Sequence, residues 1–376
     1  MSGATPQGRK ARVPGGLLGM LALVAAIELT IEARRLDYVL HWSDDWRRTA
    51  EVASVGVKHC DVLFFGDSMV KFGVLPRMIE ARTGLKAYNL AVNAGTTPTN
   101  YFLLRRALDA GAKPKVVVAD FFALMKPENP HERMGAYCEL ATARDCVDLG
   151  WTSGDWSLTS RSLLGKVLSS YKRRYDIRTG IMAAFRGERA SEWPRLSVIW
   201  ATWADQAGAQ PLPRMPWGYQ FDPVMAQSLA VPNWSCDPFN ASYIERFLSL
   251  AESKGIRVIW LMPPMSPSIA AIRKPFGADE AYDRFARSVL ERHPGVEILD
   301  ARNSGYDDSV HNDVLHLDHR GAKIMTADLS DVLAGMIRGR NAAAPADRWA
   351  ALPPVNGRSG DEPARSLADS GGATVR

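Results

Sequence analysis

Short β-rich runs alternate with helical patterns along most of this 376-residue chain, and this alternation constrains the fold more than any other feature. The runs cover residues 61–65, 86–90, 115–120, 257–262 and 296–300. The helical patterns cover residues 74–83, 99–110, 241–254, 279–293 and 320–336. Strands that alternate with helices indicate parallel βαβ units, with helices covering both faces of the sheet. The sequence therefore predicts a three-layer α/β fold.

The N-terminus predicts the compartment of the main domain. Residues 1–12 are basic, and residues 13–31 form an apolar run that only Glu28 interrupts. This layout is typical of an export signal or a signal anchor, and the run approaches the ~20 residues that a spanning helix needs. Val24-Ala25-Ala26 is a candidate cleavage site, so both outcomes stay open, and we favour an uncleaved transmembrane anchor. Residues 1–12 then stay cytoplasmic, and the main domain lies outside, in the periplasm or at the cell surface.

The remaining chain divides into three parts. Residues 32–58 are polar and aromatic, and they are predicted to link the anchor to a domain over 59–338. Between about 126 and 240 the alternation stops, and seven of the eleven tryptophans lie there. Since ligands bind at the carboxyl edge of parallel sheets, we expect this insertion to form a cap, with most tryptophans in a core and one or two facing a substrate. Residues 339–376 have little apolar periodicity and are predicted to be a disordered tail.

Composition argues against several classes of function. The net charge of +5 is mild and its basic and acidic residues are interspersed, so no nucleic-acid-binding surface is expected. The four cysteines lack C-x-x-C spacing, which argues against a structural zinc site. Cys138 and Cys146 are close enough in sequence for a local disulfide, and free thiols are the alternative. We predict no cofactor and no metal.

Two motifs at opposite ends of the domain carry the chemistry. Ser68 follows the first strand in Gly66-Asp67-Ser68, while Asp313 and His316 stand three residues apart before the last helix. These are the parts of a Ser-His-Asp triad, in which the histidine takes the serine proton and the carboxylate orients the imidazole. A serine at the start of a helix also places its backbone N–H where a developing oxyanion is stabilised.

Two other interpretations of these residues remain. Ser68 can be a helix cap with no chemical role, since Asp and Ser are common at helix starts. The late histidines and aspartates can instead be metal ligands. That set is His311, Asp313, His316, Asp318 and His319.

The motifs together resemble those of the SGNH (GDSL-type) hydrolase superfamily. The resemblance covers about residues 60–125 and 240–337. It rests on Gly66-Asp67-Ser68, Asn93-Ala94-Gly95, the strand and loop over 258–264, and residues 313–317 with Gly321. It implies a flavodoxin-like parallel sheet of the SGNH type, with Ser68 as nucleophile, His316 as base and Asp313 as its orienting acid.

The third block of the family departs from its pattern here. The family places an Asn at that point, which donates to the oxyanion, whereas strand three of this chain ends in Asp120. Because a carboxylate cannot donate and would repel an oxyanion, Asp120 is expected to point elsewhere. We predict an oxyanion hole made by the backbone N–H groups of Ser68 and Gly95, with Asn93, or less directly Asn100, replacing the missing donor.

Three features narrow the resemblance to one group within the superfamily. They are the predicted anchor, the atypical third block and the segment Tyr88-Asn89-Leu90-Ala91-Val92. They resemble the membrane-tethered SGNH proteins of alginate O-acetylation and teichoic-acid D-alanylation, which work beside a multi-spanning membrane acyltransferase. This implies an extracytoplasmic serine O-acyltransferase or esterase that acts on acyl groups of a cell-surface glycan, with such an acyltransferase as candidate partner. The alternative is a non-catalytic SGNH-fold scaffold that binds polymer or a membrane acyltransferase.

Overall fold

The computed structural model describes residues 15–33, 41–122, 129–187, 201–337 and 348–355. Within them, six strands form one parallel sheet in the order β2-β1-β3-β4-β5-β6. The strands are β1 (Val62–Phe65), β2 (Ala87–Asn89), β3 (Val116–Ala119), β4 (Arg257–Met262), β5 (Val296–Asp300) and β6 (Trp349–Ala351). The α/β prediction is confirmed, and the strand order is compatible with a flavodoxin-like fold.

Helices make up most of the remaining described chain. In chain order they are α1 (Gly15–Ala33), α2 (His41–Val55), α3 (Ser68–Gly73), α4 (Pro76–Thr83), α5 (Thr97–Asp109), α6 (Met134–Leu140), α7 (Ala143–Ser153), α8 (Trp156–Val167), α9 (Ser169–Lys172), α10 (Arg174–Phe185), α11 (Pro223–Ser228), α12 (Pro238–Ser253), α13 (Pro267–Arg273), α14 (Ala278–Arg292) and α15 (His319–Ile337). Short 3₁₀ segments lie at Pro130–Arg133, Lys274–Phe276 and Asp308–Val310.

The sheet has an apolar core on each face. Leu63 and Phe65 of β1 point into one core, where they meet helices α5, α12 and α14. Val62 and Phe64 point into the other, where they meet α4 and α15. Successive strand residues face opposite sides, so an all-apolar strand such as β1 is suited to burial on both faces.

The order of the strands places two loops side by side. β1 lies between β2 and β3, with Phe64 opposite Asn89 and Phe65 opposite Ala119. After β1 the chain forms β2 at one edge of β1, and it then crosses over to form β3 at the opposite edge of β1. In open α/β sheets the crevice at the carboxyl ends of such strands is where ligands bind. The residues that follow β1 and β3, including Ser68, lie at this crevice.

Helix α2 belongs to the domain, so the prediction of a linker over 32–58 is wrong for the helix. Trp46, Ala50, Ala53 and Val57 are buried in the core that contains Phe65. Trp46, Ala50 and Ala53 lie on one face of α2, and Val57 follows the helix. The polar residues between them hide this apolar pattern in the sequence. Residues 34–40 lie outside the described residues.

A buried ion pair ties α2 to the crevice. Asp45 of α2 and Lys71 of α3 are fully buried, and their charged groups are 2.7 Å apart. The Lys71 ammonium also donates to the carbonyl of Ala91. The other Asp45 oxygen accepts hydrogen bonds from the backbone and side-chain nitrogens of Asn93. One carboxylate thus connects the helix that carries Ser68 with the loop that carries Asn93 and Gly95.

The predicted disordered tail contains a strand. β6 pairs in parallel with β5, with Ile298 opposite Trp349, and Leu352 and Val355 that follow it are buried. The Arg287 guanidinium lies over the Trp349 ring. The tail prediction is therefore wrong for residues 348–355. A three-residue strand has too little periodicity to be seen in sequence, and it forms because the edge of β5 supplies its hydrogen bonds.

The insertion, residues 126–240, contributes helices α6 to α11 in its described parts. Trp203 and Trp234 are buried, whereas three tryptophans are exposed, namely Trp151, Trp156 and Trp217. Trp193 and Trp200 lie outside the described residues. Only two of the five described tryptophans of the insertion are buried, so the expectation that most of these side chains pack in a core is not met among them.

Helix α1 is the one described helix that is long and apolar enough to cross a membrane, with a mean hydropathy of 1.8. It lies near the N-terminus, and little of it is buried by the rest of the protein. Length and composition of this kind fit a signal sequence as well as an anchor.

Removing the Asp45 charge tests the role of the buried ion pair. Asp45→Asn leaves the Lys71 ammonium buried without a counter-charge, so we expect the free energy of unfolding to fall by about 3–5 kcal/mol. Chemical unfolding of the detergent-solubilised chain, followed by circular dichroism, measures it. Glu51→Gln is the matched control, since it removes an exposed partner of Arg47 and should cost about 0–1 kcal/mol. Equal losses in the two variants would contradict the role given to the buried pair.

Candidate active site

Ser68 lies at the first turn after β1, and its neighbours determine its position. Asp67 is the N-cap of α3, and its Oδ1 accepts a hydrogen bond of 2.8 Å from the Met69 backbone N–H. Gly66 has a φ of +152°, a conformation that favours glycine. A Cβ at Gly66 would lie 2.8 Å from a Val70 methyl group. The strand therefore turns sharply into the helix and presents Ser68 at the carboxyl edge of the sheet.

Asp313 and His316 are held together by a compact turn. Asp313 Oδ1 accepts hydrogen bonds from the backbone N–H groups of Leu315 and His316. Its Oδ2 lies 2.7 Å from His316 Nδ1. Burial by itself would raise the pKa of Asp313, but the hydrogen bond and charge of His316 and the backbone amides outweigh it, so this pKa lies below its ordinary value. Asp313 is thus a carboxylate that accepts from the imidazole.

The fold brings this turn to Ser68, which is 248 residues distant in sequence. Ser68 Oγ and His316 Nε2 are 2.8 Å apart. With Nδ1–H directed to Asp313, the Nε2 nitrogen is the acceptor for the Ser68 hydroxyl proton. The Phe72 ring packs edge-on against the imidazole, with the ring centroids 5.1 Å apart. The arrangement can transfer the Ser68 proton to His316, as nucleophilic catalysis requires.

Three of the four predicted oxyanion donors, those of Gly95, Asn93 and Asn100, have other partners in this structure. The Ser68 N–H is at the first position of a helix, where no intrahelical acceptor exists. The Gly95 N–H donates to the Val92 carbonyl at 3.0 Å, and the Asn93 amide donates to Asp45 at 3.1 Å. Asn100 donates to the Asp120 carbonyl. Their roles at an oxyanion stay predictions, and Gly95 and Asn93 must exchange or share these bonds to fulfil them.

Gly95 has a structural reason to be glycine. A Cβ at this position would lie 2.3 Å from the carbonyl oxygen of Gly66. The loop after β2 therefore approaches the turn before Ser68 more closely than any side chain permits. Any larger residue at position 95 must displace the turn that positions the serine.

Sequence reasoning missed an acid pair formed by Asp120 and Asp67, the residue before Ser68. Asp120 is buried, its Oδ1 accepts from the Phe122 N–H, and its carboxyl group hydrogen-bonds to that of Asp67. Two carboxylates only accept, so this bond needs a proton. Burial, and then the charge of Asp67, raise the pKa of Asp120 well above its ordinary value. Burial also raises the pKa of Asp67, but that of Asp120 is raised further, so we assign the shared proton to Asp120, which donates it to Asp67. The sequence signal was available, because both acids closely follow neighbouring strands.

Part of the insertion lies along the loop that carries His316. The Gln220 N–H donates to the Asn312 carbonyl at 2.9 Å, and the His319 N–H donates to the Leu212 carbonyl at 2.8 Å. Gln220 also pairs as a short bridge with Asp313. Trp217, three residues before Gln220, is 64% exposed. The insertion therefore borders the loop of His316, and it exposes an aromatic side chain three residues along the chain from that contact.

The described part of the chain contains no cluster of side chains that would support the alternative interpretation, a metal site. No group of three or more His, Cys, Asp or Glu side chains suited to a metal ion occurs there. The His311 ring donates from Nδ1 to the Asp307 carbonyl, and burial lowers the pKa of this histidine. His316 is bound between Ser68 and Asp313. The late histidines thus have different partners.

The cysteines and a pocket beside Met265 lie apart from this chemistry. All four cysteines are free thiols, and burial raises the pKa of Cys138 and Cys146 to about 11. A pocket of about 370 Å³ beside Met265 has none of the triad residues in its lining. Its charged groups largely pair with each other, as Arg302 does with Asp283.

Asp120→Asn tests for the shared proton. Since the pKa of Asp120 is raised on folding, the folded state holds a proton that the unfolded state releases, and stability falls as pH rises toward the raised pKa. An asparagine amide donates to Asp67 without titrating. Relative to wild type, the thermal midpoint of Asp120→Asn should therefore increase between about pH 5 and about pH 8. Parallel pH profiles of the two proteins would contradict the shared proton.

Comparison with protein-family models found no match to this chain. Comparison with curated proteins also found none. The resemblance to the SGNH superfamily therefore rests on the residues quoted above, and the geometry around Ser68 is the main basis for inferring a function.

Proposed function

We propose that this protein is a membrane-anchored, extracytoplasmic serine acyl-transfer enzyme, an O-acyltransferase or esterase that acts on acyl groups of a cell-surface glycan. The observation that carries the proposal is the continuous hydrogen-bonded chain from Ser68 Oγ through His316 to Asp313, with links of 2.8 Å and 2.7 Å. Independent parts of the chain meet at hydrogen-bonding distance in the order that acyl transfer needs.

The proposed mechanism has two half-reactions. In the first, His316 Nε2 takes the Ser68 proton while Oγ attacks the acyl carbonyl carbon. The resulting oxyanion lies toward the N-terminal end of α3, where the Ser68 N–H and the helix dipole stabilise it. The bond to the leaving group breaks, and that group takes the proton from His316, which leaves an acyl ester on Ser68.

In the second half-reaction His316 acts again as base. It takes the proton of an acceptor hydroxyl, which attacks the acyl ester, and it returns that proton to Ser68 Oγ as the ester breaks. A glycan hydroxyl as acceptor makes the enzyme a transferase, and water makes it an esterase. A cap that excludes water from the acyl-enzyme favours transfer. The contacts of residues 212 and 220 with the catalytic loop support a role of this kind for the insertion.

The location and partner are parts of the same proposal. Helix α1 supports an anchor that leaves the catalytic domain outside the cytoplasmic membrane. A multi-spanning membrane acyltransferase is the proposed source of acyl groups, because an extracytoplasmic transferase needs a donor that crosses the membrane.

One observation favours the second candidate function, a non-catalytic scaffold that binds polymer or a membrane acyltransferase. The Gly95 and Asn93 donors are engaged with Val92 and Asp45. Loss of one oxyanion donor typically costs ~10²–10³ in rate. If the Gly95 and Asn93 donors never leave these partners, the protein keeps the fold and the triad but catalyses acyl transfer only weakly.

Reaction of Ser68 with a fluorophosphonate separates the two functions. We expect the full chain in detergent to gain the mass of one adduct, because His316 activates the serine hydroxyl. Ser68→Ala should gain none, and the exposed Ser160→Ala should react like wild type. A folded wild-type chain that forms no adduct would overturn the enzyme proposal in favour of the scaffold.

Substitutions in the triad should lower the rate of aryl acetate hydrolysis by different amounts. Ser68→Ala and His316→Ala are expected to lower kcat/KM by on the order of 10⁶-fold, and Asp313→Asn by about 10⁴-fold. The smaller effect follows because asparagine removes the orienting charge but leaves the nucleophile and the base. The measurement is the initial rate of hydrolysis. Wild-type rates in Ser68→Ala would show that another group carries the reaction.

Trp217→Ala tests whether the insertion contacts the glycan. Since exposed aromatic faces bind apolar ring surfaces, KM for an acylated oligosaccharide should rise several-fold while kcat/KM for an aryl acetate is unchanged. Trp151→Ala is the matched control, because it removes a tryptophan of α7 that is also more than half exposed. Equal effects of the two variants would contradict a specific role for Trp217.

A further inference from the structure

The outer end of α1 is attached to the insertion by hydrogen bonds. The Ser170 backbone N–H donates to Glu28 at 2.9 Å, and the Ser170 hydroxyl donates to the same carboxylate. One turn later the Ser169 hydroxyl donates to Glu32 at 2.5 Å. Ile31 between them is buried. Helix α9 therefore lies directly against the last turns of the apolar helix.

These contacts explain why an acid interrupts the apolar run. A carboxylate inside a membrane helix is costly unless it has partners or reaches the interface. Here Glu28 has partners, and they come from α9. If α1 spans a bilayer, the position of Glu28 near its outer end places α9 at the level of the lipid headgroups.

The helices on either side of α9 expose apolar side chains. Val167, two residues before α9, is 76% exposed, and Phe185 at the end of α10 is 83% exposed. Both have exposed apolar neighbours on the same helix face. The set is Leu164 and Val167 on α8, with Ile181, Met182 and Phe185 on α10, and we call it the α8–α10 surface. The side of α10 that packs inward carries the small residues Gly180 and Ala183.

The charges around this surface are mostly positive. Residues 166–186 contain six basic side chains and one acidic one. Arg178 and Arg186 of this segment are exposed next to the apolar residues of α10. A helix with an apolar outer face flanked by arginines is the pattern of segments that lie in the interface of an anionic bilayer.

We propose that the α8–α10 surface rests on the bilayer that α1 spans, with Ile181, Met182 and Phe185 among the acyl chains and the arginines at anionic headgroups. The α1–α9 contact fixes this orientation, so the domain is held against the membrane rather than suspended from a free tether. The inference rests on the anchor in the proposed function but is independent of the serine chemistry. A bilayer is favoured over a protein partner because the surface adjoins the spanning helix itself.

Lipid photolabelling of the full chain tests this directly. The protein is reconstituted in phosphatidylglycerol nanodiscs that contain a phospholipid with a diazirine near the end of its acyl chain. After irradiation and digestion, mass spectrometry should find adducts on α1 and on the peptide that carries Ile181 and Phe185. Val224, which is 78% exposed on α11, is the internal control and should remain unlabelled. Its exposure matches that of the proposed contacts, but α11 packs against α13 instead of α9 or α1.

A matched pair of variants completes the test. The triple variant Ile181→Ser, Met182→Ser and Phe185→Ser changes exposed side chains only, so we expect loss of the α10 adducts with α1 labelling retained. Val224→Ser should change nothing. Adducts confined to α1, equal labelling of Val224, or no adducts on α1 would each overturn the proposal. Fluorophosphonate reaction of Ser68 in the same nanodiscs reports on the proposed chemistry separately.

Discussion

The parallel pairing of β1 with β3 is the constraint on which the rest of the site depends. The Asp120 N–H donates to the Phe65 carbonyl at 3.0 Å, so the two strands end at the same level. This register places Asp67, the residue before Ser68, next to Asp120, and the return of the chain through β2 brings the Gly95 loop against Gly66. A shift of one residue in this pairing would face the apolar side chains of β1 into the wrong cores.

Two buried acidic contacts stabilise this arrangement, and they use different physics. Asp45 lies 2.7 Å from the Lys71 ammonium and accepts from the backbone and side-chain nitrogens of Asn93, so each of its oxygens has a partner. Asp120 instead keeps a proton and donates to Asp67, because a second buried negative charge next to Asp67 is unfavourable. The contacts of Asp45 connect α2 to α3 and to the loop of Asn93. The contact of Asp120 with Asp67 connects the end of β3 to the turn before Ser68. Neither residue touches a substrate in the proposed mechanism.

The N-terminal segments contribute more to the folded domain than their composition indicates. Helix α2 supplies Asp45 and a face of the core, and the end of α1 bonds to α9 of the insertion. The insertion in turn contacts the loop of His316 through residues 212 and 220. Helix α1, the insertion and the loop of His316 are thus connected by successive contacts. In the proposed arrangement these contacts keep Ser68 at a constant distance and orientation relative to the membrane.

The sequence by itself determined the α/β class, the strands β1 to β5 to within one residue at each end, and the three residues that meet at the candidate site. These features are local, because strand and helix periodicity and the Gly-Asp-Ser and Asp-x-x-His motifs lie within a few neighbouring residues. Only the tertiary structure decided what depends on distant partners. The ion pair of Asp45 joins α2 to the core, the edge of β5 makes a strand of 349–351, and the acid pair of Asp67 and Asp120 needs the β1–β3 register. Such contacts leave no periodic pattern in sequence, since each arises from burial that exists only once the sheet has formed.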